Sequence, residues 1–243
     1  MSTRLQGLFI TGTDTEIGKT CITAGLTHAL AEAGARVVPV KSLAAGQVQD
    51  ARGEWVNEDV LQLHAAQRLG LTPAQVGPVQ FREPCAPHIA ARLEGRTLAR
   101  EPLLAAIRAS AQLGELALVE GVGGFRVPLN DAYDTADLAV DLALPVLLVV
   151  GLRLGCINHA LLTAEAIRAR GLRLAGWVAN VADPRQTHVA DNVAALAAHF
   201  DRMGAPCWGQ VPRLADPSPA AVAAHFSLMP AALLQAVRQV QEP

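Results

Sequence analysis

The chain has 243 residues, enough for one large domain, and 51% hydrophobic against 17% charged residues supply material for a sizeable core. A formal net charge of −2 gives no basic footprint for a nucleic acid. The longest apolar stretch, residues 144–150, is too short to cross a bilayer.

In chain order, apolar and helix-periodic segments alternate. A strand is predicted at 5–11, a helix at 19–33, a strand at 36–41 and a helix at 57–69 opened by Asn57 as its N-cap. A short strand at 78–81 precedes helices at 86–94 and 101–113. Next come a buried strand at 116–120 (LALVE) and the clearest strand of all, at 144–150. Helices at 158–170, 185–203 and 230–241 then alternate with strands at 172–180 and 207–211, and Pro217–Ser218–Pro219 marks a loop. Continuous apolar strands separated by helices imply an α/β fold, with a mainly parallel sheet covered by helices on both faces. One domain over residues 1–243 is expected, with ligands beyond the carboxyl ends of its strands.

Residues 12–20 read GTDTEIGKT between the first strand and the first helix. A glycine-bounded loop leading into a helix offers backbone N–H groups and a positive dipole end to one anion. Lys19 adds a point charge for β/γ-phosphates, and Thr20 offers a hydroxyl to Mg²⁺. The usual pattern has four residues between its glycines; here Gly12 and Gly18 enclose five, Thr13, Asp14, Thr15, Glu16 and Ile17. Carboxylates beside a triphosphate cost Coulomb energy unless compensated. Glu16 is therefore expected to face Mg²⁺ or an amine-bearing substrate.

Other polar residues fall at predicted strand ends. Lys41, the only lysine besides Lys19, ends the second strand, and Asn180 ends a later one. Glu120 closes LALVE, where burial without a partner would be costly and a place beside Mg²⁺ would explain it. Gly121, Gly123 and Gly124 follow and let the backbone approach a ligand. Asp59 lies near a helix start, where a carboxylate also suits the helix dipole, so the sequence leaves both roles open. His88 and His159 lack metal-ligand spacing, and no nucleophile elbow is present. Cys21, Cys85, Cys156 and Cys207 form no Cys-x-x-Cys pair and read as small buried groups in a reducing compartment, so a soluble cytoplasmic protein is expected.

Together these residues resemble the dethiobiotin synthetase family of ATP-dependent ligases. The resemblance spans most of the chain and is carried by GTDTEIGKT (12–20), Lys41, Asn57–Glu58–Asp59, EPCAPHIAA (83–91), VEGVGG (119–124), VGLRLGCINHALLTA (150–164), GWVAN (176–180) and Val211–Pro212. The five-residue spacing between glycines is characteristic of that family. The resemblance implies a P-loop α/β fold that binds ATP through Thr13, Asp14, Thr15, Glu16, Ile17, Gly18, Lys19 and Thr20. It implies that Lys19 and Lys41 stabilise the transferring phosphoryl group and that Thr20, Asp59 and Glu120 hold Mg²⁺. Asn180 would read the adenine edge, with Val211 and Pro212 lining the base pocket. Thr15, Lys41, Gly121 and Gly123 would border the diamine, and Asn158 would receive the substrate carboxylate across a homodimer interface. The implied reaction closes a cyclic urea from 7,8-diaminononanoate, CO₂ and ATP, through a carbamate and a carbamic–phosphoric anhydride. No nucleic-acid or membrane partner is implied.

Departures gather on the substrate side. The family's Lys-Pro-x-x-Ser-Gly stands here as Lys41–Ser42–Leu43–Ala44–Ala45–Gly46, and its Ser-Pro-His as Ala86–Pro87–His88. Asn192 aligns where some members carry a tyrosine, and Arg153 replaces a common lysine. Lost hydroxyls would cost about 1 kcal/mol each in binding if nothing substitutes. Ser42 would point to the other face in an extended segment. These positions keep open a related ATP-dependent ligase or amidotransferase-synthetase with another carboxylate substrate. A partitioning-type nucleotide-switch ATPase is a further alternative, but Thr13–Asp14 stands where that class usually carries an extra lysine.

Overall fold

A computed structural model describes residues 5–183 and 185–241. Six parallel strands form the central sheet: β1 (Gly7–Gly12), β2 (Val37–Lys41), β3 (Leu116–Glu120), β4 (Val146–Gly151), β5 (Leu174–Asn180) and β6 (Cys207–Val211), in the order β6-β5-β4-β1-β3-β2. Every residue of β1, β3, β4 and β5 is buried. Covering both faces removes the need for polar alternation, which is why these strands read as unbroken apolar runs. Pro39 lies in β2, an edge strand, where a missing backbone N–H breaks no ladder.

Successive side chains in each strand divide between two cores. Leu8, Ile10, Leu147 and Val149 face one layer, with Ile22, Leu26 and Leu30 of the helix Lys19–Glu32 and Leu233 and Val237 of the helix Pro230–Gln239. Phe9, Val119, Leu148 and Val150 face the other. Its helices are Glu58–Ala66, Arg100–Ala111, Thr135–Leu142, Cys156–Ala169 and Val189–Asp201, which bury Leu63, Ile107, Leu138, Ala164 and Phe200.

Element boundaries shift for local reasons. Asn57 does cap its helix, accepting from Val60 N at 3.1 Å. That helix stops at Ala66, short of 69, because Gln67 is extended and its Oε1 accepts from Leu69 N at 2.6 Å. The helix predicted from 185 begins at Val189, after His188 in a left-handed conformation. Ser218, within the predicted loop, caps a five-residue helix, Pro219–Ala223, that starts at the loop's last residue. The sequence reading missed the hairpin of Pro128–Asn130 with Tyr133–Asp134 and the helix Thr135–Leu142. That helix opens on a capping box in which Asp137 takes the place usually held by Glu or Gln, and only eight residues follow.

Candidate functional site

The sheet's register brings the strand ends together. Glu120 pairs with Lys41 on one side and Ile10 on the other; Asn180 pairs with Gly151 and Val211. Residues far apart in sequence therefore surround the loop that follows β1.

Glu120 has 0% exposure and anchors a charge cluster. Its Oε1 accepts from Thr20 Oγ1 at 2.7 Å and from Lys41 Nζ at 2.7 Å, while Oε2 is buried with no hydrogen-bond partner. Lys41 Nζ also donates to Asp59 Oδ2 at 2.5 Å. Burial works against charge on Lys41, but Glu120 and Asp59 outweigh it and hold the ammonium pKa above its usual value. Burial likewise opposes charge on Asp59; the ion pair and hydrogen bond with Lys41 prevail, and its pKa falls. The sequence left Asp59 between two roles, and the geometry puts its carboxylate on Lys41.

The second lysine is tuned the other way. Lys19 is buried, and desolvation leads in lowering its pKa to about 8, with Lys41 adding repulsion and Glu120, Asp59 and Asp14 opposing. Its Nζ donates to the Asp14 carbonyl at 2.8 Å, folded back on the loop. A polyanion beside this desolvated ammonium would offset the cost of its burial.

The chemistry of the donor set fits a hard cation. A hydroxyl, a partly exposed carboxylate and a buried carboxylate with an orphaned oxygen suit Mg²⁺, which takes few protein ligands and completes its shell with phosphate and water. Among the described residues no group of three or more His, Cys, Asp or Glu side chains could hold a metal by itself.

On the other side of the loop a cleft of about 200 Å³ is lined by Glu16, Gly18, Cys21, Asn180, Val181, Val211 and Pro212, among others. Asn180 Nδ2 donates to the Ile17 carbonyl at 2.8 Å, so the end of β5 grips the loop directly. Ile17 itself is a core residue, 2% exposed. Thr13 is tied to the sheet: its N–H donates to Val149 O at 3.1 Å and its Oγ1 accepts from Gly151 N at 3.3 Å. Glu16 lies on the cleft's lip with φ 56° and makes no hydrogen bond or ion pair with Thr20, Asp59 or Glu120. Its left-handed backbone places Glu16 at the cleft that Asn180 also lines.

Thr15 does border the glycine turn, since a Cβ on Gly123 would stand 3.5 Å from Thr15 Oγ1. A Cβ on Gly121 would press on the Phe9 ring at 3.1 Å. Asn158 is exposed on the helix Cys156–Ala169, with Leu154 (96% exposed) and Leu162 (57%) nearby in the chain. Asn192 donates through Nδ2 to His188 O at 2.8 Å, and its Oδ1 lies 4.0 Å from Cys156 Sγ at the start of that same helix.

Two departures from the family pattern acquire local explanations. Ser42 does not replace the hydroxyl missing at Ala45. Both its N–H and its Oγ–H donate to the Glu120 carbonyl, at 3.0 and 2.7 Å, so it clamps the ends of β2 and β3 where a proline could supply neither bond. Ser42→Ala should lose about 1 kcal/mol of stability in denaturant unfolding; an unchanged midpoint would remove the hydroxyl from this role. Ala86 occupies the N-cap of the helix Pro87–Leu93 with no side-chain cap, a position where serine serves the backbone as readily as a ligand. The sequence reading missed a third feature, the ion pair between Arg153 and Asp14 within the loop. The sequence signalled it only through a charged residue two positions beyond a strand end. Cys21 in the cleft wall was also missed, although it directly follows Thr20.

Comparison with known proteins agrees on one family. A family model described as an AAA domain matches residues 6–221. The ATP-dependent dethiobiotin synthetase BioD of Janthinobacterium sp. (strain Marseille) is 52% identical over 227 residues, covering 91% of this chain and 95% of that protein. The protein of the same name from Ralstonia nicotianae is 51% identical over 222 residues, with the same coverage. Among solved structures, the MinC:MinD cell division protein complex of Aquifex aeolicus covers 97% of this chain and 96% of its own at 16% identity. Its TM-score of 0.49 is too low to bear on function.

Proposed function

Because the chain belongs to the ATP-dependent dethiobiotin synthetase family and is an ATP-dependent ligase that forms dethiobiotin, we propose how its residues divide that work within one domain. The observation that carries the proposal is Lys41, buried between Glu120 and Asp59 and one hydrogen bond from Thr20's partner oxygen.

One amine of 7,8-diaminononanoate adds to CO₂ and becomes a carbamate. A carbamate oxygen attacks the γ-phosphorus of ATP, ADP leaves, and a carbamic–phosphoric anhydride remains. The second amine attacks the anhydride carbonyl, phosphate leaves, and the cyclic urea closes. None of these steps needs a protein nucleophile; each needs positioning and neutralisation of charge. Lys19 and Lys41 meet the phosphoryl oxygens, with Lys19 released from the Asp14 carbonyl when the triphosphate enters. Loop amides from Thr13 to Thr20 cradle the phosphates. Thr20, Asp59 and Glu120 would hold Mg²⁺, which supplies charge neutralisation at the β/γ-phosphates when bound. Thr15, Gly121 and Gly123 border the diamine.

Val211 and Pro212 line the base cleft with Asn180. One Nδ2 hydrogen of Asn180 is held by Ile17; of the two groups left, Oδ1 and the second Nδ2 hydrogen, Oδ1 is the one assigned to the base. An acceptor suits the exocyclic amine of adenine or cytosine and opposes the carbonyl of guanine. A homodimer with Asn158 receiving the partner's substrate carboxylate is part of the same reading. It is supported by the exposure of Leu154 and Leu162 around an uncapped helix N-terminus. So is a cytoplasmic location, which the four unpaired cysteines suit.

The test is a ligase assay with diaminononanoate, bicarbonate and Mg²⁺. ADP should appear in step with cyclic urea, with kcat/KM for GTP at least about tenfold below that for ATP or CTP. ADP without dethiobiotin would overturn the reaction, and equal use of GTP would overturn the role of Asn180. Sedimentation without nucleotide should show a dimer; a monomer would remove the shared carboxylate site.

A further inference from the structure

The phosphate loop carries a carboxylate of its own, and the structure shows how it is occupied. Asp14 Oδ1 accepts from Thr15 N, the next residue of the loop, at 2.8 Å. Asp14 Oδ2 takes the guanidinium of Arg153, two residues beyond the end of β4. The main-chain carbonyl of Asp14, on the same residue, accepts from Lys19 Nζ. Arg153 is held in its turn, because its carbonyl accepts from Cys156 N at 2.9 Å where the next helix begins.

Side chains of the pair are 42% and 44% exposed, so the bridge adds little to the stability of the empty protein. Its effect changes once a nucleoside triphosphate lies in the loop. A free carboxylate there repels the phosphates directly. It also competes for Lys19, whose ammonium already rests on the Asp14 carbonyl. We propose that Arg153 is a positioning residue for nucleotide binding: it neutralises Asp14 and keeps that carboxylate off Lys19, so the loop accepts a polyanion despite carrying an acid. This deepens the reading above and rests on residues 13–20 being the nucleotide loop.

Calorimetric ATP binding and steady-state kinetics on four proteins test it. Arg153→Ala should weaken ATP binding and raise its KM by about five- to tenfold while kcat stays within about twofold, since the lost term is electrostatic and present in both ground and transition states. Arg153→Lys should stay near wild type. Adding Asp14→Asn to Arg153→Ala should restore binding, because asparagine keeps an acceptor oxygen for Thr15 N and removes the charge. A purely structural arginine would give no such rescue. Unchanged ATP affinity in Arg153→Ala, or a double variant as weak as the single one, would overturn the proposal. Absence of ATP binding by the wild-type protein would instead overturn the nucleotide site on which it rests.

Discussion

Lys41→Met should lower kcat by about 10²–10³-fold, the usual loss when one preorganised charge is taken from a developing transition state. The same variant should also lose about 3–5 kcal/mol of folding stability, because it strips the partner from a carboxylate with no exposure. Glu120 would keep only the Thr20 hydroxyl on Oε1, and its Oε2 already has no partner. The two losses can be separated. A Lys41→Met, Glu120→Leu double variant removes both buried charges and should recover most of the stability, as replacing a buried pair by apolar groups often does. Its turnover should stay as low as that of the single variant. Denaturant midpoints and single-turnover ADP release read the two effects independently. Near wild-type turnover in Lys41→Met would take the lysine out of the chemistry, and an unchanged midpoint would mean that Glu120 is not relying on it.

The second large effect is expected at Gly18, where the nucleotide loop becomes a helix. Its φ of 84° lies in the left-handed region, and a Cβ there would stand 2.2 Å from Asn180 Nδ2. Gly18→Ala therefore meets two penalties. The backbone conformation costs alanine about 1–2 kcal/mol, and the methyl group displaces the amide that holds the Ile17 carbonyl. The chain must either push Asn180 into the base cleft or relax the turn that aims the loop amides. A displacement of about 1 Å at such a site commonly costs about 10²-fold. ATP affinity measured by calorimetry should fall by about that factor while the far-UV spectrum stays native. Retention of affinity within about twofold would show that the loop tolerates another turn and that the grip of Asn180 is dispensable.

The residues legible in advance share one property: each sits at the end of an apolar strand or at the start of the helix that follows one. Lys41, Glu120 and Asn180 stand where hydrophobic strands stop, Lys19 and Thr20 open the helix that follows the first of those strands, and a parallel sheet gathers its strand ends whatever the details of the helices. What the sequence hid depends on side-chain direction and on loops. The ion pair of Arg153 with Asp14 joins residues 139 positions apart through two turns that no periodicity describes. Ser42 could be expected to face either way until the end of β2 was seen to bend its hydroxyl onto the Glu120 carbonyl. The left-handed backbone of Glu16 was likewise hidden, because the sequence carries a non-glycine residue there. The helix Thr135–Leu142 escaped notice because an aspartate completes its capping box and its eight residues offer barely two turns of pattern.

The pairing of Lys41 opposite Glu120 also bears on how the chain reaches its native state. β2 is the last strand of the sheet and joins it only through β3. Its other residues are valines and a proline, which would fit several alignments almost equally well. A slip of one position would turn every side chain to the opposite layer and leave an ammonium and a carboxylate buried apart. The buried pair thus acts as a lock on strand alignment: a molecule whose edge strand has settled correctly already has in place the lysine proposed for the phosphoryl group, and a misaligned one is penalised before any substrate arrives.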